Sequence, residues 1–187
     1  MDILKTISEE IKLSPAFLEA LSQKFKLEKH SKESILLREG DLCRKLYVIQ
    51  KGCLRFYYIN EEGKDITHWF SFEGDFMTEL NSFYSQTPSD FYLETLEECQ
   101  LLTLNLADIK VLAKDFPEFY MMESMLLRNA ALELGEKIKD LQFRDAKTRY
   151  LNLIKKQEDI LFRVSLGYIA SYLGITQQSL SRIRRQR

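Results

Sequence analysis

The residues best equipped for chemistry lie at the C-terminal end of this 187-residue chain, where Thr176, Gln177, Gln178, Ser179, Ser181, Arg182, Arg184 and Arg185 follow one another closely. A glutamine amide can form two hydrogen bonds with adenine, and a guanidinium can form two with guanine, both in the major groove. Gln177, Gln178 and Arg182 are therefore of types that can read base edges, while Arg184, Arg185 and Arg187 suit phosphate. The charge distribution agrees. From Arg144 to Arg187 there are ten basic and three acidic residues, a net of +7, although the whole chain carries -1 and its first 143 residues carry -8. An acidic body with a basic tail is a footprint of nucleic-acid contact.

Such side chains act only if something holds them on one edge. Ser165 can cap a helix whose apolar face is Leu166, Ile169, Ala170 and Leu173, and Gly174 can end it in the left-handed conformation. Thr176 can cap a second helix, turned inward through Leu180 and Ile183. Two short helices joined by a tight glycine-containing turn make a helix-turn-helix. The alternative is an ordinary helical hairpin with a solvated basic face. Upstream, a helix around Ala146 to Lys156 is expected, and the run Ile160 to Val164 reads as a strand or tight connector.

The first half has a different rhythm. Gly40, Gly52, Gly63 and Gly74 recur at intervals of 12, 11 and 11 residues, separated by runs rich in aromatic and β-branched residues such as Leu54 to Ile59 and Ile66 to Phe70. With Phe91 to Thr95 and Cys99 to Leu104, about seven or eight strands are expected, in an antiparallel β-roll of the jelly-roll type. Ser14-Pro15 opens a helix before this block, and Asn105 can cap a short one after it. Pro117 then starts a long helix to about Leu141. Leu127, Ala131, Leu134, Ile138 and Leu141 form a heptad-like stripe along it, and Met122, Leu126 and Ala130 lie on a neighbouring face. The stripe spans only about two heptads, so core packing and a dimer seam both remain open. The fold class is α+β, divided into a sensor domain at 1–116, a long dimerisation helix at 117–142 and a DNA-binding domain at 143–187.

Several functions are excluded or disfavoured. Cys43, Cys53 and Cys99 are odd in number and lack a C-x-x-C spacing, so a disulfide framework and a zinc or iron–sulfur site are not expected. With two histidines, His30 and His68, read as structural, and no phosphate-binding loop or nucleophile elbow, no enzyme activity is expected. No metal or resident cofactor is expected either. The N-terminus from Met1 to Lys5 lacks a signal-peptide core, and no stretch is apolar enough to span a bilayer, which gives a cytoplasmic reading without membrane contact.

The order of a glycine-spaced β-block, a long helix and a terminal helix-turn-helix resembles the Crp/Fnr family of bacterial transcription regulators over nearly the whole chain. The resemblance is carried by Glu39-Gly40-Asp41 to Gly52, by Gly74-Asp75-Phe76-Met77-Thr78-Glu79-Leu80, and by Ile169 to Thr176 with Leu180 to Ile183. It implies a homodimer joined along the long helix, a cyclic-nucleotide-binding-type β-roll, a recognition helix in double-stranded DNA with Arg182 as a base-contacting arginine, and RNA polymerase as a further partner. Many family members continue into a β-hairpin wing; this chain reaches Arg187 directly after the recognition helix, so a full wing is not expected.

The resemblance also places an effector pocket at Gly74, Thr78, Glu79, Leu80, Ser89, Asp90 and Leu134. Members that bind cyclic AMP clamp its phosphate with an arginine, and here Ser89-Asp90 stands in its place. Leu134 and Gly135 align with polar, adenine-contacting positions. Losing a charge-assisted pair and adding a like charge costs at least about 2–3 kcal/mol, roughly 30- to 150-fold in affinity. Cyclic AMP is therefore not the expected effector. The leading expectation is a sequence-specific DNA-binding regulator. The alternative is a ligand sensor whose helix-turn-helix serves protein interaction.

Overall fold

A computed structural model describes residues 11–185; the terminal readings at Met1 to Lys5 and at Arg187 lie outside the described residues. Helix α1 (Pro15–Lys24) begins where the Ser14 hydroxyl accepts from the Phe17 N–H at 3.2 Å, and it buries Phe17 and Leu21 completely. Eight strands follow: β1 (Lys26–His30), β2 (Ile35–Leu37), β3 (Lys45–Lys51), β4 (Leu54–Ile59), β5 (Asp65–Ser71), β6 (Phe76–Met77), β7 (Tyr92–Thr95) and β8 (Cys99–Asn105). They form two four-stranded antiparallel sheets, ordered β1-β8-β3-β6 and β2-β7-β4-β5. Leu54, Phe56 and Leu93 from one sheet meet Tyr47, Ile49 and Leu101 from the other in a shared core. A jelly-roll-type β-roll is the result.

Glycine matters most at the β3–β4 turn. Gly52 has φ +108°, and a Cβ there would overlap the Cys99 sulfur and come within 3.0 Å of Cys99 Cα and the Glu98 carbonyl oxygen. No other residue fits so close an approach without shifting strand β8. The three cysteines are buried and unpaired.

Helix α2 (Leu80–Ser85) interrupts the strands and is capped by Glu79, whose carboxylate accepts from the Asn81 and Ser82 N–H groups. After β8, Asn105 caps α3 (Leu106–Asp115) by accepting from the Asp108 N–H at 2.8 Å. The long helix α4 (Glu118–Phe143) has 26 residues, about 39 Å at 1.5 Å per residue. Its first turns bury Phe119, Met122 and Met125 on the β-roll, with Leu126 packed beside them. The other stripe is left uncovered.

Four helices complete the described residues: α5 (Ala146–Lys156), α6 (Ile160–Arg163), α7 (Leu166–Tyr172) and α8 (Gln177–Arg185). Helix α6 corrects the reading of Ile160 to Val164 as a strand or connector. No strand edge is offered there, and the run instead closes a single helical turn through Val164 N–H to the Ile160 carbonyl at 2.9 Å, with Ile160 fully buried. A second core unites Tyr150, Ile154, Ile160, Ile169, Leu173 and Leu180 with Cys53, Phe70 and Leu96 of the β-roll. The C-terminal helices therefore share their core with the sheet. Among the described residues no helix is long and apolar enough to cross a membrane.

Candidate nucleic-acid interface and effector cavity

The turn between α7 and α8 is built from three local signals. Ser165 caps α7, its hydroxyl accepting from the Tyr168 N–H at 3.3 Å. At the other end Gly174 has φ +67°, its N–H reaches the Ser171 carbonyl, and the Ile175 N–H reaches the Ala170 carbonyl, both at 3.0 Å. This 6→1 and 5→2 pair is a Schellman stop, which requires a left-handed residue at Gly174. Thr176 then caps α8 by accepting from the Ser179 N–H at 3.1 Å.

Helix α8 turns inward through Leu180, which is fully buried, and half-buried Ile183. The opposite edge faces solvent. Thr176, Gln177, Gln178, Arg182, Arg184 and Arg185 are exposed, and Ser179 and Ser181 are half-buried. Among the described residues Arg182 makes no hydrogen bond or ion pair with any carboxylate. The structure thus brings every one of the proposed DNA-contacting side chains onto one helix and its cap.

Helix α7 is not free. Its outer face lies on β5, where the Ser171 hydroxyl accepts from the Thr67 N–H at 2.9 Å. Arg55, only 1% exposed, donates to Thr67 Oγ1 at 2.9 Å, Asp65 at 3.1 Å and Glu94 at 2.9 Å. Its guanidinium also lies between two tyrosine rings, 4.3 Å from the centroid of Tyr57 and 3.6 Å from that of Tyr168 on α7. Burial raises the Glu94 carboxyl above its ordinary range, more than Arg55 lowers it. Nearby, Arg163 of α6 joins Glu73 at 2.8 Å and Glu97 at 3.1 Å. Burial alone would lift the Glu73 carboxyl, but the Arg163 hydrogen bond and charge, together with backbone N–H donors including Gly52, outweigh it and hold the group low.

Lys137 ties α4 into the same junction. Its ammonium lies 3.1 Å from the Tyr172 ring centroid and donates to the carbonyls of Tyr172 at 3.2 Å and His68 at 3.4 Å. Burial, with Arg149 adding repulsion, pushes its pKa down to about 7. Sequence reasoning missed this junction. Arg55 falls in a strand run, Lys137 on the long helix and Arg163 in the run read as a strand or connector, and only tertiary packing buries them.

A cavity of about 480 Å³ opens between the β-roll and α4. Of the effector residues proposed from the sequence, Gly74, Thr78, Glu79, Leu80 and Leu134 line it. Ser89 and Asp90 do not, which corrects their placement. Ser89 is buried with its N–H on the Asp41 carbonyl and its own carbonyl on the Gly40 N–H, so it staples a loop, and Asp90 keeps its carboxylate in solvent. Phe91, one residue on, reaches the cavity instead. His68, read as structural, also forms part of the wall; burial first, then the charge of Lys137, hold its imidazole below the usual range.

The stripe on α4 stands open. Leu127 is 40%, Leu134 41%, Ile138 53% and Leu141 50% exposed, with Ala131 exposed between them. Leu127 and Leu134 belong both to this stripe and to the cavity wall.

The architecture is a β-roll with a cavity, a long helix and a helix-turn-helix. Residues 27–116 match the cyclic nucleotide-binding domain family. The cAMP-activated global transcriptional regulator CRP of Salmonella typhimurium is 23% identical over 167 residues, spanning 84% of this chain and 80% of that protein. Electron transport regulator A of Shewanella oneidensis is 25% identical over 161 residues, 79% of this chain and 63% of that one. Among solved structures, the c-di-GMP-responsive global regulator CLP of Xanthomonas campestris superimposes with a TM-score of 0.73 at 16% identity, covering 92% of this chain and 91% of that one. FixK2 of Bradyrhizobium japonicum gives a TM-score of 0.70 at 17% identity, covering 87% and 83%. The chain has the Crp/Fnr fold, its residues 27–116 are similar to cyclic nucleotide-binding domains, and its homologues are Crp/Fnr-family transcription regulators.

Proposed function

We propose that this protein is a cytoplasmic, non-enzymatic transcription regulator that binds double-stranded DNA sequence-specifically as a homodimer, under an effector other than cyclic AMP. The observation that carries the reading is the exposed edge of α8, where Arg182 has no carboxylate partner among the described residues and Gln177 and Gln178 stand beside it. Arg184 and Arg185 extend the same helix toward where phosphate would lie. The uncovered stripe Leu127, Ala131, Leu134, Ile138 and Leu141 supports pairing along α4, since burying it requires a partner. That the similar CRP is a cAMP-activated regulator supports the transcriptional reading. The cavity supports a different effector, because its wall has no lysine or arginine to pair with a phosphate and four carboxylates stand in it.

Fluorescence anisotropy on a random duplex at low salt tests the proposal. Four arginines, Arg184 and Arg185 on each of two subunits, predict a slope of about -4 for log affinity against log salt. Docking of α7 on β5 favours one second reading, in which the C-terminal helices are a protein-binding surface. In that case affinity for the duplex is absent at every salt concentration.

A further inference from the structure

The wall of the cavity between the β-roll and α4 is chemically one-sided. It contains no lysine or arginine, and its charged members are Asp75, Glu79, Glu123 and Glu133. Each carboxylate is already engaged. Asp75 accepts from the Phe72 N–H at 2.8 Å, Glu79 caps α2, Glu123 accepts from the Tyr84 hydroxyl at 2.8 Å, and Glu133 pairs with Lys156. These bonds fix the carboxylates in place, only Glu133 has a cationic partner, and the wall stays negative. Burial, and then the charge of Lys137, disfavour the protonated form of His68. Thr78 is also spoken for, its hydroxyl donating to the Lys45 carbonyl at 3.0 Å.

Apart from the Ser71 hydroxyl and the Asn129 amide, what remains is mainly aromatic, thioether and aliphatic surface. Phe56 and Phe91 stack with centroids 4.6 Å apart and planes inclined by 21°, and His68 lies 5.1 Å from Phe91. Met77, Met122 and Met125 form an adaptable lining that can close on flat molecules of varied outline. The volume of about 480 Å³ falls within the range of small-molecule sites. An anion entering here would lose its hydration and gain no ion pair, whereas an uncharged ring system would exchange water for close contact on both faces.

We propose that this cavity binds a small, uncharged, mainly apolar aromatic molecule, and that this is the chemical class of the effector. The proposal rests on the reading of the chain as an effector-controlled regulator and names the ligand of that same cavity.

Two dyes with the same ring framework separate the alternatives. N-phenyl-naphthylamine is uncharged, and anilinonaphthalene sulfonate carries one negative charge. Titrated into the full chain, the neutral dye should bind once per subunit, at least about tenfold more tightly than the sulfonate, because only the sulfonate must be desolvated against carboxylates. Ala130→Trp, which fills the cavity from α4, should abolish that binding while circular dichroism stays unchanged. If Ala130→Trp does not fold, Asn129→Trp, on the same wall, makes the same test. The proposal is overturned if the sulfonate dye or cyclic AMP binds as tightly as the neutral dye, if the neutral dye does not bind, or if it binds the filled variants as it binds the parent. No DNA enters the titration, so its failure leaves DNA binding untouched, and a failure of duplex binding leaves the dye result standing.

Discussion

Replacing Arg55 with methionine should both destabilise the fold and release α7 from the β-roll. Methionine keeps much of the volume but leaves Glu94, a buried carboxylate, without its 2.9 Å partner. Asp65, nearly half exposed, returns to water at little cost. Breaking one side of a buried ion pair costs about 3–5 kcal/mol. Losing the desolvated stacking on Tyr57 and Tyr168 adds roughly 1–2 kcal/mol. Against this, Arg55 Nη2 is buried without a hydrogen-bond partner among the described residues, and removing it returns about 1–3 kcal/mol. The net loss is about 4 kcal/mol, or a fall in Tm on the order of 10 °C for a chain of this length. Urea and thermal unfolding measure it. The double replacement Arg55→Met with Glu94→Leu should recover most of the loss, because both charges leave the interior together. The pH dependence has a definite sign. In the single variant Glu94 binds a proton more tightly folded than unfolded, so the penalty vanishes at the ordinary carboxylate range, grows as pH rises beyond it and is complete only above the raised folded pKa. A single variant that loses less than about 1 kcal/mol at neutral pH, or a double variant no better than the single, would refute the argument that Arg55 holds this junction together.

Three further outcomes follow from other residues. Gly52→Ala should cost well over 1 kcal/mol in chemical unfolding, since its φ of +108° and the approach of Cys99 both exclude a side chain. Lys137 has a folded pKa of about 7 against 10.5 unfolded, so the unfolded chain binds the extra proton between those values and stability should rise with pH across that window; Lys137→Met should flatten the rise in unfolding experiments run from pH 7 to 10. Ile138→Glu places a charge in the middle of the open α4 stripe, and light scattering should report a monomer where the parent gives twice the mass.

The elements that were legible in the sequence are those with local causes. Ser14, Asn105, Ser165 and Thr176 are caps whose hydrogen bonds fall within three residues, and Gly174 stops α7 through two backbone bonds of its own turn. The evenly spaced glycines marked the β-roll for the same reason, because Gly40, Gly52, Gly63 and Gly74 all adopt positive φ. What stayed hidden depends on distant chain segments. Nothing local to Arg55 announces that Glu94 and Tyr168 will enclose it, and nothing in Ser89-Asp90 reveals that the loop is stapled to Gly40 and Asp41 instead of facing the cavity. The run Ile160 to Val164 misled because its β-branched and aromatic residues suit a strand, while the fold provides no edge for it to pair with.

The central claim is that the exposed edge of α8 reads bases. Selection of bound sequences from a randomised duplex pool, followed by competition between the selected site and random DNA, measures it directly. The account predicts a near-palindromic site with half-sites about 34–36 Å apart, a preference over random duplex that falls by about 1–3 kcal/mol in Arg182→Ala at one position per half-site, and uniform weakening in Arg184→Ala. Recovery of no common sequence, or an Arg182→Ala protein with the parent's preference, would contradict it.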